Sequence, residues 1–311
     1  MKIKFSVIIP LFNKEDSIKS TINSVLNQSY QNFEIIIVND GSTDSSLKIV
    51  ENFKNNKIKV FNNINHGVSY TRNYAIKKSS GNYIAFLDAD DFWHNDYLEK
   101  MKQLIEKYSN CMIFCSRYEV CLPQKKHYSG KIGINKDGIL DSYWRTLSFK
   151  YEFVWTSATV INREVFKDDK NFFNIKERIG EDLDLICRLY LNNNTIAYTQ
   201  EVLVKYNRKY KMDNAFKVGI ANPRSYINQL KNTLKLVSLE NYEVQAITKK
   251  IIMKEIMYIY TLVLNGKNKL ARKEIRDNSY IPLKFKIALS ISSFMPNFMN
   301  KWVYSIRLEN F

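Results

Sequence analysis

Three aspartates close a short apolar segment, in the run Tyr-Ile-Ala-Phe-Leu-Asp-Ala-Asp-Asp at residues 83–91. The apolar residues predict a buried strand, and carboxylates at its end are costly to desolvate unless cations compensate them. Asp88 and Asp90 stand two positions apart, so on an extended or turning backbone their side chains project together. Carboxylates paired in this way hold a hard divalent cation against a phosphate. A helix cap or a turn would also use aspartate, but a cap needs one carboxylate and not three.

Apolar runs alternate with amphipathic ones through the N-terminal part of the chain. The apolar run at residues 5–9, ended by Pro10, predicts another buried strand, and residues 33–38 and 58–61 predict a second strand and a short third one. Helices are predicted between them: one capped by Asp16 or Ser17, one opened by Thr43 or Asp44, and one from about Val68 to Lys78. This alternation indicates an α/β fold with a parallel sheet, in which ligands bind beyond the carboxyl ends of the strands.

A polar edge is therefore predicted where those strands end. It collects residues from separate parts of the chain: Pro10, Phe12, Asn13, Asp40, Gly41, Ser42, Asp88, Ala89, Asp90 and Asp91. The third helix adds Arg72, whose guanidinium suits bidentate contact with a phosphate or a carboxylate. Helix caps alone do not account for one cluster drawn from several segments. The sequence lacks the glycine patterns of dinucleotide-binding and P-loop proteins, which excludes those versions of the arrangement.

A second acidic pair opens a predicted amphipathic helix, where Glu181 and Asp182 follow Gly180. Acidic residues favour the first turn of a helix, where they meet the positive end of its dipole. The residues alone leave open whether this pair has a further role.

Positive charge is concentrated in the C-terminal third of the chain. The 311 residues carry a net charge of +16, and residues 201–311 contain 20 basic and 8 acidic side chains. Such a segment suits a polyanion, which would be nucleic acid, an anionic bilayer or a phosphorylated ligand. Because no nucleic-acid motif accompanies it, the sequence favours a membrane surface or a pyrophosphate and predicts no nucleic-acid partner.

Residues 280–307 have the composition of a helix that lies in a bilayer interface. Apolar and aromatic residues dominate, Lys284, Lys286, Lys301 and Arg307 flank them, and acidic residues are absent. A helix of this kind lies on an anionic leaflet rather than across it. The alternative is an ordinary C-terminal helix packed on the rest of the chain.

The expected location is the cytoplasm, at the inner face of the cytoplasmic membrane. Cys111, Cys115, Cys121 and Cys187 lack the spacing of a metal site, so we expect buried free thiols in a reducing compartment. No secretory signal is recognisable, and no charge-free stretch approaches the roughly 20 residues that span a bilayer.

Four motifs resemble those of family 2 glycosyltransferases in order and spacing, and a fifth adds to the resemblance. They are Ser-Val-Ile-Ile-Pro-Leu-Phe-Asn at 6–13, Phe-Glu-Ile-Ile-Ile-Val-Asn-Asp-Gly-Ser-Thr-Asp at 33–44, Asn-His-Gly-Val-Ser-Tyr-Thr-Arg-Asn at 65–73, Phe-Leu-Asp-Ala-Asp-Asp at 86–91, and Gly-Glu-Asp-Leu-Asp-Leu at 180–185. The resemblance implies a GT-A fold, which is a Rossmann-like, mostly parallel sheet flanked by helices, here with a C-terminal helical extension. It also implies a nucleotide-sugar donor, Mn²⁺ or Mg²⁺, and inversion at the anomeric carbon.

The resemblance also suggests how the chain is divided. Residues 1–210 would form the catalytic domain, with a nucleotide-sugar-binding half at 1–100 and an acceptor-side half at 101–210. Residues 211–311 would form a basic, helical C-terminal region associated with the membrane.

Individual roles follow from the same resemblance. Asp40 is expected to accept a hydrogen bond from the N3–H of uracil, and Phe12 to stack on the base. Cytosine offers a lone pair at N3, whereas thymine and guanine offer N–H groups, so UDP is favoured while dTDP and GDP stay open. Asp88 would lie near the ribose and the metal, and Asp90 would bind the metal directly. Asp182 is the expected general base, with Glu181 holding the acceptor.

The sequence departs from the family pattern in two ways. The late histidine that many GT-A enzymes use is missing, and Arg208, Lys209 or Lys211 would supply positive charge instead. The Gln-x-x-Arg-Trp signature of processive synthases is also missing, which favours one sugar per encounter. Trp144 and Trp155 are candidates for stacking on a sugar, with burial in the core as the alternative.

The predicted function is transfer of one hexose or N-acetylhexosamine from a nucleotide sugar, with UDP favoured, to a saccharide acceptor. Lipid-linked acceptors are included, and the product would belong to cell-surface or glycoprotein glycans. A nucleotidyltransferase is one alternative, although its glycine-rich and basic N-terminal loop is absent. A non-catalytic nucleotide-sugar-binding protein is another, against which the intact Asp88, Asp90 and Asp182 argue.

Overall fold

The computed structural model describes residues 2–121, 126–129, 136–149, 151–177, 180–207 and 224–294. These residues form a ten-stranded mixed sheet with helices on both faces. The strands are β1 (Phe5–Leu11), β2 (Phe33–Asp40), β3 (Ile58–Asn63), β4 (Tyr83–Phe86), β5 (Phe92–Trp93), β6 (Ile113–Cys121), β7 (Lys126–Tyr128), β8 (Gly138–Ile139), β9 (Thr159–Asn162) and β10 (Ile196–Asn207). The helices are α1 (Ile18–Leu26), α2 (Ser46–Glu51), α3 (Val68–Lys78), α4 (Tyr97–Lys107), α5 (Tyr143–Thr146), α6 (Glu181–Leu191), α7 (Arg224–Leu236), α8 (Asn241–Leu264), α9 (Asn268–Asp277) and α10 (Leu283–Ser292).

Parallel pairing builds the half of the sheet that carries the first four motifs. The strand order is β3-β2-β1-β4-β9-β6-β10-β5, and β3, β2, β1 and β4 run parallel to one another. β9 pairs antiparallel with both β4 and β6, and β10 then returns parallel to β6. The expected α/β fold, with a mostly parallel sheet between helices and a helical C-terminal region, is confirmed.

Alternation along β1 explains why its apolar run is continuous. Val7 and Ile9 pack on one face of the sheet with Ile18 and Ile22 of α1, whereas Ile8 packs on the opposite face. A parallel strand covered by helices on both sides needs apolar side chains on both of its faces. Helix α4 lies on the first face, while α3, α6, α7 and the N-terminal half of α8 lie on the second.

Pro10 lies within β1, and the prediction that it ends the strand is wrong. β1 pairs with β2 as far as Leu11, but its pairing with β4 stops at Ile8. The backbone nitrogen of Pro10 points to the same side of β1 as that of Ile8, which is the side of β4. Because β4 has ended before this position, the missing N–H of Pro10 removes no hydrogen bond from the sheet. β1 and β4 cease to pair at this point, and Asp88 follows directly.

The C-terminal helices divide between two cores. Tyr226 of α7 and Ile247 of α8 are buried in the core that α6 also covers. Ile259, in the C-terminal half of α8, packs instead with α9 and α10 in a separate cluster that includes Leu289. The predicted boundary near residue 210 lies outside the described residues and stays a prediction. Across the described ranges, none of the helices combines membrane-spanning length with an apolar sequence.

A buried ion pair ties α8 to the sheet-bearing part of the chain. The Lys250 ammonium lies 3.1 Å from both carboxylate oxygens of Glu152, and the Lys254 ammonium lies 3.4 Å away. Burial alone would raise the pKa of Glu152, but Lys254 and Lys250 hold it below its ordinary value. Lys250 is itself almost fully buried, so its charge depends on this partner.

We expect Glu152→Gln to lower the free energy of unfolding by about 3 kcal/mol, because Lys250 then stays buried without its full counter-charge. Chemical denaturation measures the loss. Glu106→Gln is the matched control, since Glu106 pairs with Lys102 on the surface and such pairs contribute less than about 1 kcal/mol. Equal losses in the two variants would contradict the anchoring role of the buried pair.

Candidate active site

Arg72, on α3, joins two acidic groups that lie far apart in the chain. One terminal nitrogen donates to Asp88 Oδ1 at 2.7 Å, and the other donates to Glu181 Oε1 at 2.8 Å. Burial would lower the pKa of Arg72, but Asp88, Glu181 and Asp182 together raise it above its ordinary value, so the guanidinium stays charged. This fork brings the predicted metal-binding segment and the predicted base segment to one place.

The carboxylates of Asp88, Asp90 and Asp91 gather at a single point, with one oxygen of each within 4.8 Å of the others. Asp91 is fully buried and is committed to the fold. Its oxygens accept hydrogen bonds from Ser157 Oγ at 2.6 Å and from the backbone N–H of Asn207 at 3.1 Å. The two predicted ligands, Asp88 and Asp90, instead pair with the cationic side chains of Arg72 and Lys14.

A cationic side chain stands within this carboxylate cluster. The Lys14 ammonium lies 2.7 Å from Asp90 Oδ2, and Asp90 is almost fully buried, so its charge needs compensation. Hard carboxylate oxygens that attract a cation fit Mn²⁺ or Mg²⁺, with Asp88 and Asp90 as ligands. Lys14 is not among the site residues that the motifs predict. Its position after Asn13 put it at the predicted edge, but no spacing pattern indicates that its side chain reaches Asp90.

Ala89, between the two predicted ligands, acts through its backbone. Its carbonyl oxygen accepts hydrogen bonds from Ser17 Oγ at 2.9 Å and from Thr21 Oγ1 at 3.0 Å. Both donors belong to the start of α1, so this helix holds the loop that carries Asp88 and Asp90. The two hydroxyl residues are a further part of the site that sequence reasoning did not find.

Asp40 ends β2 and fixes the loop that leads into α3. Its carboxylate oxygens accept hydrogen bonds from the backbone N–H groups of His66 at 2.9 Å and Gly67 at 2.8 Å. Gly67 has a φ of 91°, a conformation that favours glycine. A carboxylate has about four lone-pair sites. The predicted contact with uracil must therefore use those that the loop leaves available.

Asn13 and Gly41 shape the turn beside Asp40. Asn13 Oδ1 accepts a hydrogen bond from the backbone N–H of Thr43 at 2.8 Å. Gly41 has a φ of 78°, and a Cβ at this position would lie 3.0 Å from the backbone nitrogen of Asn65, so glycine is required. These predicted donor-binding residues thus hold the backbone, whereas the side chain of Phe12 is exposed at the same edge.

Asp182 lies in the first turn of α6, which begins after Gly180. Its Oδ2 accepts a hydrogen bond from Thr156 Oγ1 at 3.0 Å, and its Oδ1 accepts one from the backbone N–H of Leu183 at 2.8 Å. The side chain is partly exposed, which suits a group that meets a substrate. Thr156 is a fourth residue of the site that the spacing of motifs did not reveal.

Glu181 is buried, whereas its neighbour Asp182 is partly exposed. Burial and the charge of Asp182 raise the pKa of Glu181 to about 7, although the Arg72 guanidinium acts in the opposite direction. The buried side chain therefore holds a proton more readily than an ordinary carboxyl group does.

The two tryptophans differ in their environment. Trp144 is buried, and its ring centroid lies 5.3 Å from that of Tyr143 and 5.4 Å from that of Tyr190. It is therefore a core residue, which was the alternative to stacking on a sugar. Trp155 is half-buried and donates from Nε1 to Asp91 at 3.3 Å, which places it at the border of the carboxylate cluster. Arg208, Lys209 and Lys211, named as substitutes for the missing histidine, lie outside the described residues.

The raised pKa of Glu181 predicts a pH-dependent contribution to stability. In the unfolded chain the Glu181 carboxyl has its ordinary pKa of about 4.5. Between pH 4.5 and about 7 the folded protein therefore binds more protons at Glu181 than the unfolded chain does. The contribution of Glu181 is fully present below pH 4.5 and is lost as the pH rises through 7. The Glu181→Gln variant does not lose this contribution. We therefore expect its free energy of unfolding, relative to that of the native chain, to rise by up to a few kcal/mol between pH 4.5 and about 7.

Denaturation between pH 4 and pH 8 in the presence of EDTA measures this difference. Glu51→Gln, on the exposed side of α2, is the control and should differ from the native chain by a constant offset. A constant offset for Glu181→Gln as well would show that its pKa is ordinary.

Comparison with known proteins bears on the family of the chain. Residues 6–169, slightly more than half of the sequence, match the family described as "Glycosyl transferase family 2". An uncharacterized glycosyltransferase of Rickettsia bellii is 31% identical over 235 residues, which cover 72% of this chain and 32% of that protein. The chain spans about a third of the length of the first curated relatives that it matches.

Two solved structures share the fold. Staphylococcus aureus TarS 1-349 in complex with UDP-GlcNAc superposes with a TM-score of 0.64 at 19% identity, covering 94% of this chain and 89% of that one. The mannosyltransferase PcManGT of Pyrobaculum calidifontis, in complex with GDP-Man and Mn²⁺, gives a TM-score of 0.59 at 11% identity, covering 100% and 87%. The fold, the motifs and the matched residues agree that this chain belongs to glycosyl transferase family 2.

Proposed function

We propose that the chain is an inverting glycosyltransferase that moves one hexose or N-acetylhexosamine from a nucleotide sugar to a saccharide acceptor. The Arg72 fork carries the proposal, because one guanidinium binds both the metal-site carboxylate Asp88 and the neighbour of the predicted base, Glu181. The structures of TarS with UDP-GlcNAc and of PcManGT with GDP-Man and Mn²⁺ support a nucleotide-sugar donor.

The donor would lie across the carboxyl ends of β1, β2 and β4. Phe12 offers an exposed aromatic side chain for the base, and Asp40 has lone pairs left for an N–H of uracil, which favours a UDP-sugar. Asp88 and Asp90 would hold Mn²⁺ or Mg²⁺. A divalent cation there supplies neutralisation of the charge that develops on the leaving diphosphate.

Asp182 is the proposed general base. The acceptor oxygen forms a bond to the anomeric carbon while the bond from that carbon to the diphosphate breaks, and the proton of the acceptor hydroxyl passes to Asp182. Hydrogen bonds from Thr156 and from the N–H of Leu183 fix the carboxylate for this task. Glu181, held by Arg72, would bind the acceptor. Attack from the face opposite the leaving group inverts the configuration.

We expect Asp182→Asn to lower turnover by a factor of about 10² to 10⁴, because the amide cannot take the proton. UDP affinity measured by calorimetry in the presence of Mn²⁺ should stay unchanged, since Asp182 serves the acceptor. Turnover is measured as enzyme-dependent UDP release from UDP-glucose, UDP-galactose or their N-acetyl forms, with GDP-mannose as the competing donor.

Asp169→Asn is the matched control, because Asp169 is exposed on the surface. It should keep native turnover and native UDP affinity. Loss of UDP binding together with turnover in Asp182→Asn would assign Asp182 to the donor side or to the fold. Release of GDP but not UDP would overturn the assignment of the donor.

Helix α10 presents an apolar stripe to solvent. Leu283, Ile287 and Ile291 recur at intervals of four residues and are 72%, 53% and 55% exposed, and Phe294 in the following turn is 75% exposed. The opposite side of the helix packs Leu289 into the small C-terminal core. The helix is therefore anchored on one side and unpartnered by the described residues on the other.

Basic side chains border this stripe. Lys284 and Lys286 lie on α10 itself, and Arg272 of α9 lies with its guanidinium carbon 4.7 Å from the ring centroid of Phe294. An apolar stripe beside basic groups matches an anionic bilayer surface, to which each basic residue contributes on the order of 1 kcal/mol. We propose that α10 holds the enzyme reversibly at the inner face of the cytoplasmic membrane, where a lipid-linked saccharide is the acceptor.

The stripe predicts binding to anionic vesicles. The native chain should pellet with vesicles of phosphatidylglycerol and phosphatidylcholine at low salt and be released at high salt. Ile287→Glu with Ile291→Glu should leave the protein in the supernatant. The control carries Leu236→Glu with Val237→Glu, two exposed apolar positions at the end of α7, and should pellet like the native chain. Equal pelleting of both double variants would refute the role of α10.

A further inference from the structure

The Lys14 side chain lies where its ammonium can neutralise negative charge at the carboxylate cluster of Asp88, Asp90 and Asp91. Its ammonium lies 2.7 Å from Asp90 Oδ2, and the side chain is 21% exposed while that of Asp90 is 1% exposed. The lysine therefore approaches a buried carboxylate from the solvent side. A single ammonium in this position neutralises part of the carboxylate charge that a divalent cation would otherwise neutralise.

The backbone of Lys14 is fixed although its side chain is long. Its N–H donates to Ser46 Oγ at 2.7 Å, and its carbonyl oxygen accepts hydrogen bonds from the N–H groups of Ser17 and Ile18 at 3.1 and 2.9 Å. These bonds tie the residue to α2 and to the first turn of α1. A fixed backbone aims the side chain at the cluster, while the rotatable methylene groups let the ammonium change partner.

A metal ion and the Lys14 ammonium compete for the same oxygen atom. Binding of a divalent cation by Asp90 removes the electrostatic reason for the ammonium to stay there, and the two cations repel each other. The diphosphate of a donor brings new negative charge to the same edge of the sheet. An ammonium with three donors on a flexible stem pairs readily with phosphate oxygens.

Building on the proposed function, we propose that Lys14 is a tethered counter-cation with two positions. Before the metal and donor bind, it neutralises Asp90 and keeps the buried carboxylates from repelling one another. Once Mn²⁺ or Mg²⁺ is bound, the ammonium turns to the diphosphate of the donor. Lys14 thereby weakens metal binding to the empty enzyme and strengthens nucleotide binding to the metal-loaded one, so that metal and donor are retained together.

Lys14→Met tests this in two titrations on the full chain, because methionine keeps the length of the side chain and removes its charge. Calorimetry with MnCl₂ alone should give a dissociation constant about tenfold lower than that of the native chain, since a charge-assisted hydrogen bond no longer competes. Calorimetry with UDP at saturating Mn²⁺ should give a dissociation constant about tenfold higher. Lys14→Arg, which keeps the charge, should restore most of the native UDP affinity.

Lys19→Met is the matched control, because Lys19 is an exposed lysine of α1, outside the cluster. It should match the native chain in both titrations. A Lys14→Met variant that binds Mn²⁺ no tighter than the native chain, or UDP no more weakly, overturns the inference. Absence of Mn²⁺ and UDP binding in the native chain itself would instead overturn the proposed function, so the two failures are distinguishable.

Discussion

The site depends on one buried arginine that has two acidic partners. Arg72 lies inside the protein with its guanidinium over the ring of Phe173, and its charge is tolerated there because Asp88 and Glu181 both accept from it. The three groups come from α3, from the end of β4 and from the start of α6. Without a common cation, the two carboxylate-bearing segments would repel each other. The same fork that stabilises the buried Arg72 thus fixes where the carboxylate cluster after β4 meets the start of α6.

Elements whose pattern is local were predictable from the sequence. Helix α3 spans Val68–Lys78 as expected, because its glycine start and its helix-forming residues are close neighbours in the chain. Strand β4, which ends shortly before Asp88, was predictable for the same reason. For Arg72 the sequence left a choice between a phosphate and a carboxylate, and in this structure its partners are two carboxylates. That choice depends on which segments the sheet brings together, and no local spacing encodes it.

The contacts that sequence reasoning missed are all made across long separations in the chain. Lys14 pairs with Asp90, and Thr156 donates a hydrogen bond to Asp182. Ser157, which follows Thr156 in the chain, donates one to Asp91. Each is a common residue type in an unremarkable local context, so composition and periodicity give no signal for it. Asp91 belongs to the same aspartate run as the two predicted ligands, and its oxygens accept hydrogen bonds that hold the fold.

Asp40 has a consequence for how such an enzyme could evolve. Its carboxylate holds the N–H groups of His66 and Gly67, which lead directly into the helix that carries Arg72. In the proposed donor position, a substitution that adapts Asp40 to another base also releases the start of that helix, so a change in base preference is coupled to the geometry of the fork. The exposed ring of Phe12 has no such role in holding the loop. Under the same proposal, variation at Phe12 is the route by which descendants of this chain could accept a different nucleotide while the fork keeps its geometry.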